Sequence, residues 1–427
     1  MENSGMIYLK KKLKTKKLMV DRRYRYYGGK NFFAPVYNAN EPSEFKGLAH
    51  NLGWCTKAVN AVADRINFRG FENDHFDMNE IFIQNNQDVL VDNLIVGALV
   101  SACDFVYISK GEDDFPKLEV IDGANATGIL DPTTNLLVEG YAILEVDKDK
   151  KPVLEAYFTK ENTTFYRKGL KEPKIIPNPA PYPLLVPIIH RPDATHPFGR
   201  SRITKPCMEI QKAAQRTLHR AEISSEFYSY PQKYVLGTDP EAEPMEKFKA
   251  SMSMMLEISK DGEGDKPTIG QFAQQSMSPY IDQIKMYAGL FAGETGLTLD
   301  DLGFITENPA GSESIKAAHE TLRLATRKAQ KGIAIGLLNV GYLAACVRDD
   351  VKYERHEIYN TKVKFEPIFE PDMSALSLIG DGAIKLNQAI PGYLNHENLR
   401  DLTGIESNPT NDFIYNIEPT EPNEDEE

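Results

Sequence analysis

The stretch ITKPCMEIQKAAQRTLHRAEISSEFYSY, residues 203–230, constrains the fold more than any other part of the chain. Thr204 is placed to cap a helix, and Pro206 falls in its first turn, where a missing N–H does no harm. Small or apolar residues recur at Cys207, Ile210, Ala214, Leu218, Ala221 and Tyr228, a stripe too narrow for a helix buried on all sides. Some 25 residues at about 1.5 Å each make a rod about 40 Å long. Such a rod is expected to pack side by side with others. Lys212, Arg216 and Arg220 form a separate stripe at spacing four. It reads either as a solvated face pairing with acids such as Glu209, Glu222 or Asp282 on a neighbouring rod, or as a ladder of cations facing phosphates.

A second rod is predicted over SPYIDQIKMYAGLFAG (278–293), with Ser278 as its cap, Pro279 at the first position and Gly293 as its stop. Its seam is Tyr280, Ile284, Tyr287 and Phe291. Between the rods lies a compact insert. QKYVLG (232–237) reads as strand, 240–255 as helix, and LEIS (256–259) and TIGQFA (268–273) as two strands around KDGEGDKP. GETGLTLDDLGFITENPAGSES (293–314) then reads as a loop. SESIKAAHETLRLATRKAQKGIAIGLLNVGYLAACV (312–347) predicts a very long helix, and Gly332, Gly336 and Gly341 mark where it could bend.

Upstream, residues 47–71 have helical spacing, and 79–110 reads as helix, then helix running into strand. Alternating and β-branched segments from about 104 to 190 predict an antiparallel region of about five strands. The proline-rich stretch 177–203 reads as an extended linker across a boundary. Downstream, KVKFEPIFEP (362–371) looks like one more strand, and 374–405 like a small helical segment.

Charge narrows the function. The formal net is −13, yet residues 10–30 carry ten Lys/Arg and one Asp, while residues 31–427 hold 39 bases and 60 acids, a net of −21. A body so acidic is a poor match for a protein that grips DNA over a broad surface. The basic segment reads as a disordered or interfacial arm, and the aromatics in RRYRYYGGK favour an ordered interface. The tail EPTEPNEDEE (418–427) reads as disordered. The N-terminus lacks the apolar core of a secretory signal. The most apolar run, 333–346, is short for a bilayer span and reads as a buried helix.

No catalytic pattern closes. There is no GxxxxGK[ST], HExxH or GxSxG, and the four cysteines (Cys55, Cys103, Cys207, Cys346) lie far apart, outside any zinc spacing. LDDLGFITE lacks the spaced ligands of a calcium loop, and DGEGD (261–265) suits a hairpin turn. His190 and His196, beside the proline-rich turn, suit structural or surface roles. The chain is therefore expected not to be an enzyme and to need no cofactor or metal.

From about residue 20 to 405 the sequence resembles tailed-bacteriophage portal proteins, particularly those of phages and prophages of Gram-positive bacteria. The matching pieces are RYRYYGGK, VPIIHRPDATHPFGRSRI, AEISSEFYSYPQKYVLG, GQFAQQSMSPYIDQIKMYAGLFAGETGLTLDDLGF and ENPAGSESIKAAHETL. PFGRSRI and GETGLTLDDLGF are the most specific.

The resemblance implies an α+β portal fold: an N-terminal arm and β-rich wing (1–203), stem helices (204–229 and 276–293) and a small α/β clip (230–275). It further implies a tunnel loop (294–312), a long kinked helix with a wing strand (313–373), a short helical crown (374–410) and an acidic disordered tail (411–427). Implied tunnel-loop residues are Thr295, Leu297, Leu299, Asp300, Asp301, Phe304, Thr306 and Asn308. Leu297, Leu299, Leu302 and Phe304 would pack against neighbouring loops or helices, while Asp300, Asp301 and Glu307 keep the DNA side negative. In the clip, Glu241, Glu243, Glu246, Lys260, Asp261, Glu263 and Asp265 would dock the terminase large subunit and a head–tail adaptor. The implied assembly is a homo-oligomeric ring of twelve around double-stranded DNA, meeting major capsid and scaffolding proteins at a virion vertex. It would be assembled in the host cytoplasm with no membrane. Two alternatives remain at this point: a head-completion or minor capsid protein without a channel, and a metal-dependent DNA-processing enzyme using Asp300 or Asp301.

Overall fold

In the computed structural model the described residues are 4–30, 50–111, 115–229, 233–236, 268–271, 276–304, 317–369 and 373–405. The chain forms two compact units, each built from separated segments. The first takes Met1–Val20, Asn60–Ser201 and Leu322–Glu427, and the second takes Asp21–Val59 and Arg202–Thr321.

The first unit is built on strands. β2 (Cys103–Lys110) is the centre of a three-stranded antiparallel sheet between β3 (Pro116–Ile121) and β9 (Leu185–Ile189). A five-stranded antiparallel meander follows the chain order: β4 (Ala126–Leu130), β5 (Leu137–Val146), β6 (Pro152–Phe158), β7 (Asn162–Arg167) and β8 (Lys174–Pro177). Eight strands therefore occupy the region where about five are expected, because several are short and are separated by connections of only three to seven residues. A further ribbon pairs β1 (Phe68–Glu72) with β12 (Lys362–Phe365), joining two segments distant in the chain. β1 falls where helical spacing is read. Gly70 sits at φ +133, a conformation closed to side chains, and the pairing with β12 shifts register between Phe68 and Gly70.

A boundary between the two units does fall within the proline-rich stretch, at Ser201/Arg202, but residues 185–189 are not linker. All five residues of β9 are buried, and they pair with β2 in register from Cys103↔Ile189 to Tyr107↔Leu185. Pro187 is admissible because β9 is an edge of its sheet, where one side of the strand needs no N–H. Just beyond it, His190 is buried. Its amide donates to Ala102 O (3.0 Å), and its Nδ1 lies 2.6 Å from Arg200 O. His196 is exposed beside Asp193.

The basic arm is also ordered. Residues Met6–Tyr27 form helix α1, with Leu9, Leu13 and Val20 buried at helical spacing. Leu9 and Leu13 pack with Tyr141 of β5. Its lysines turn inward: Lys10 pairs with Glu155 (2.7 Å), Lys12 donates to Gly128 O (2.7 Å), and Lys16 stands 4.8 Å over the Phe105 ring. Much of the arm's charge is thus consumed inside this unit.

Three helices complete the early chain: α2 (Trp54–Ala63), α3 (Met78–Gln84) and α4 (Gln87–Ser101). Later come α5 (Lys205–Ser229), α6 (Ser278–Thr295), α7 (Glu320–Asp349), α8 (Met373–Ala389) and α9 (His396–Thr403). α7 is assigned as one unbroken helix. By length and composition it could cross a bilayer, but 72% of its apolar window is buried within the chain.

The α7 glycines answer to packing. A Cβ at Gly332 would stand 2.7 Å from Ile189 O, one at Gly336 2.6 Å from Ile188 Cδ1, and one at Gly341 2.6 Å from Met78 Sδ. They let the helix backbone lie directly on β9 and α3, which is why they occur where bends are expected. Finally, α9 is tied to the β1–β12 ribbon, since Asp401 meets Arg69 (2.6 Å) and Lys364 (2.5 Å), and Lys364 also meets Glu72 (2.9 Å).

Candidate functional site

The second unit holds the paired rods. α5 and α6 run antiparallel, with Thr217 Oγ1 3.1 Å from Gln283 Oε1 near one end and Thr204 Oγ1 3.0 Å from Glu294 Oε1 near the other. Ala214 of α5 and Ala288 and Phe291 of α6 have no exposure, and the Trp54 ring of α2 meets the Phe291 ring, tilted, at 5.5 Å. Thr204 caps α5 as expected, accepting from the Cys207 amide at 3.3 Å. The α5 face also buries polar groups that an apolar stripe does not reveal. Gln211 bonds the Cys55 amide (2.8 Å) and Leu52 O (2.7 Å). Burial raises the Cys55 and Cys207 thiols, so neither is poised as a nucleophile.

The ends of α6 differ from expectation. Met277, not Ser278, is the N-cap residue, and the helix passes Gly293 to end at Gly296. Gly293 is exposed and helical. Gly296 takes φ +71 and donates to Ala292 O at 2.7 Å, so the stop lies where the left-handed conformation is needed. Thr295 is therefore the last helical residue. It is buried, and its carbonyl accepts from Arg202 Nη2, while Arg202 Nε reaches Ala58 O at 3.1 Å. A buried guanidinium at a helix C-terminus satisfies a free carbonyl and complements the dipole. The reading of single residues missed Arg202; its signal is an arginine in PFGRSRI two places before the cap of a rod.

After Gly296 the chain makes a hydrogen-bonded turn. The Thr298 amide and hydroxyl both donate to Asp301 Oδ2 (2.9 Å each), and the Asp301 amide returns a bond to Thr298 Oγ1 (3.1 Å). Asp300–Leu302 is a 3₁₀ turn, closed by Gly303 at φ +88. Leu297 is buried, Leu299, Leu302 and Phe304 are half-buried, and Asp300 is exposed. His319 Nδ1 lies 3.9 Å from Asp301 Oδ2. Leu297 thus packs inside its own chain, and Asp301 is a capping group before it is a surface charge. Thr306, Glu307 and Asn308 lie outside the described residues.

The stem stripe is split: Lys212 is half-buried, and Arg216 and Arg220 are exposed. At the far end of the rods, β10 (Lys233–Leu236) pairs antiparallel with β11 (Thr268–Gln271). Glu241, Glu243, Glu246, Lys260, Asp261, Glu263 and Asp265, with the expected helix 240–255 and strand 256–259, lie outside the described residues. Among the described residues no group of three or more His, Cys, Asp or Glu side chains converges as a metal site. A groove of about 730 Å³ between α8 and α9 is lined mainly by apolar side chains, including Leu376, Ile379, Ile384 and Leu399.

No family model matches the chain. Over 318 residues it is 24% identical to the portal protein of Mycobacterium phage L5, which covers 69% of this chain and 64% of that one. Over 144 residues it is 28% identical to the portal protein of Mycobacterium phage D29, covering 32% of this chain and 29% of the other. These relatives are phage portal proteins. The chain spans less than two thirds of the length of either. In structure it is similar to a chain from the virion of a native gene transfer agent particle, with TM-score 0.46, 12% identity, and coverage of 91% of this chain and 94% of that one. It is also similar to a chain from the neck of that native particle computed with C12 symmetry, with TM-score 0.45, 14% identity, and coverage of 90% and 99%. Likeness at that level is too weak to carry a function. The likeness to portal proteins is one of sequence.

Proposed function

We propose that this chain is a portal protein, a non-enzymatic subunit of a twelve-membered ring at one capsid vertex. Double-stranded DNA would be packaged, retained and ejected through the ring. The observation that carries this reading is the sequence identity to the L5 portal protein over 318 residues. The rod hairpin α5–α6 is consistent with it, since two long helices joined at the far end by a small ribbon suit a stem with a clip. The turn 297–304 would stand at the channel's narrow part, with Asp300 towards DNA, and α8–α9 would form the crown. The terminase large subunit and the head–tail adaptor would dock on 230–275, and capsid and scaffolding proteins would meet the strand-rich unit. Assembly would take place in the host cytoplasm.

The charge balance suits this use. A net of −21 over residues 31–427 repels phosphates, so the duplex can slide without sticking. Electron microscopy of the purified protein should show rings with a central hole. A purely monomeric species at micromolar concentration under every salt condition sinks the proposal.

A further inference from the structure

Elements far apart in the sequence close around a polar cavity of about 420 Å³ in the strand-rich unit. β1 gives it Arg69 and Glu72, β12 gives Lys364, and α9 gives His396 and Arg400. Gln87, the first residue of α4, stands in the same wall. Asp401 lies behind it, holding Arg69 Nη2 (2.6 Å) and Lys364 Nζ (2.5 Å), and Glu72 holds Lys364 Nζ (2.9 Å). Among the described residues, three cations (Arg69, Lys364, Arg400) therefore meet two acids (Glu72, Asp401), an excess of one positive charge before any proton on His396.

Arg69 has a donor to spare. Its Nη2 is held by Asp401, while its Nη1 is buried and meets no acceptor among the described residues. Buried donors are nearly always paired, so an orphan in a cavity wall points to something that binds there. Two helices also begin at this cavity. Gln87 opens α4, whose cap residue Asn86 makes no side-chain bond, and His396 opens α9. The first amides of a helix lack partners within it and carry a partial positive charge. Helix starts beside guanidinium and ammonium groups form a setting that favours phosphate.

We propose that this cavity binds a free phosphate-class oxyanion. Arg69 Nη1 donates to it, and Lys364, Arg400 and His396 supply the surrounding positive charge. Phosphate offers acceptor oxygens in several directions, which suits donors arriving from separate elements better than a planar carboxylate does. The bound ion bridges β1, α4 and α9, and so holds α9 on the β1–β12 ribbon. The site goes beyond the ring reading and does not depend on it.

The test is calorimetry and thermal melting of the full chain with inorganic phosphate, against chloride at equal ionic strength and pH. Saturable heat is expected, with a melting temperature that climbs with the logarithm of phosphate concentration. Phosphate also stabilises proteins by exclusion from their surface, so variants must localise the effect. Gln87→Glu puts an acid at the first position of α4, where the helix dipole favours it, so in chloride it should melt no lower than the unaltered protein. Its phosphate affinity should fall by about tenfold or more. Arg69→Lys keeps a cation against Asp401 but lacks the spare nitrogen, and should weaken phosphate by a similar factor. No saturable heat from the unaltered protein, or an undiminished response in either variant, overturns the site.

Discussion

Among the described residues Asp104 is the one buried acid of the strand-rich unit. Its Oδ1 accepts from Ser101 Oγ (2.5 Å) and from the Gly123 amide (2.9 Å), and Gly97 must be glycine because a Cβ there would lie 1.8 Å from Oδ2. Burial raises its pKa to about 7, against the bonds from Ser101 and Gly123 that favour the charged form. A carboxyl whose folded pKa exceeds its unfolded value binds its proton more tightly when folded. Its contribution is therefore fullest below about pH 4 and is lost as pH rises through 7. Between pH 5 and 7 the unfolding free energy should fall with a slope approaching about 1.4 kcal/mol per pH unit. Asp104→Asn, which keeps the Oδ1 acceptor, should flatten that slope in urea titrations. An unchanged slope would assign the effect elsewhere. None of this is legible from VSACDFVYISK, where Asp104 reads as an ordinary polar position at a strand edge.

At the scale of elements, the decisive contact is α7 on β9. The helical seam is visible in sequence, but neither the strand nor its pairing is, since a proline-rich stretch hides residues 185–189 and they are far from 332–341 in the chain. The three glycines then look like hinges, because sequence shows their flexibility and not their neighbours. Gly332→Ala should destabilise the protein by about 1–3 kcal/mol through overpacking, partly offset by better helix propensity. The carbonyl at 2.7 Å belongs to the Ile189 backbone, which cannot turn aside as a side chain can. A melting temperature equal to or above that of the unaltered protein would show that β9 yields freely. The ends of α6 teach a similar lesson: Gly293 reads as the stop, but the left-handed φ that ends the helix is at Gly296, three residues on.

For the whole molecule, charge matters as a distribution. The ten bases of residues 10–30 suggest a nucleic-acid arm on paper, but in the folded chain Lys10, Lys12 and Lys16 bond the strands beneath them and Lys17 bonds Asn125 in the turn before β4. Free duplex DNA should therefore bind the protein no more tightly than about 10 µM at physiological salt. Fluorescence anisotropy with a short duplex checks this, and tight binding that falls steeply with salt would restore the arm as a DNA contact. The sequence by itself determined the two rods, the long helix after them, the strand-rich character of about 104–190, the acidic body and the likeness to portal proteins. Each of these is a local or summed property, written in periodicity, caps and composition. Only the tertiary structure decided that the proline-rich stretch holds a core strand, that the arm is a helix spent on internal contacts, and which glycines face a neighbour. Those depend on what a distant segment brings within 3 or 4 Å, and contacts at that range leave no periodic trace in the chain.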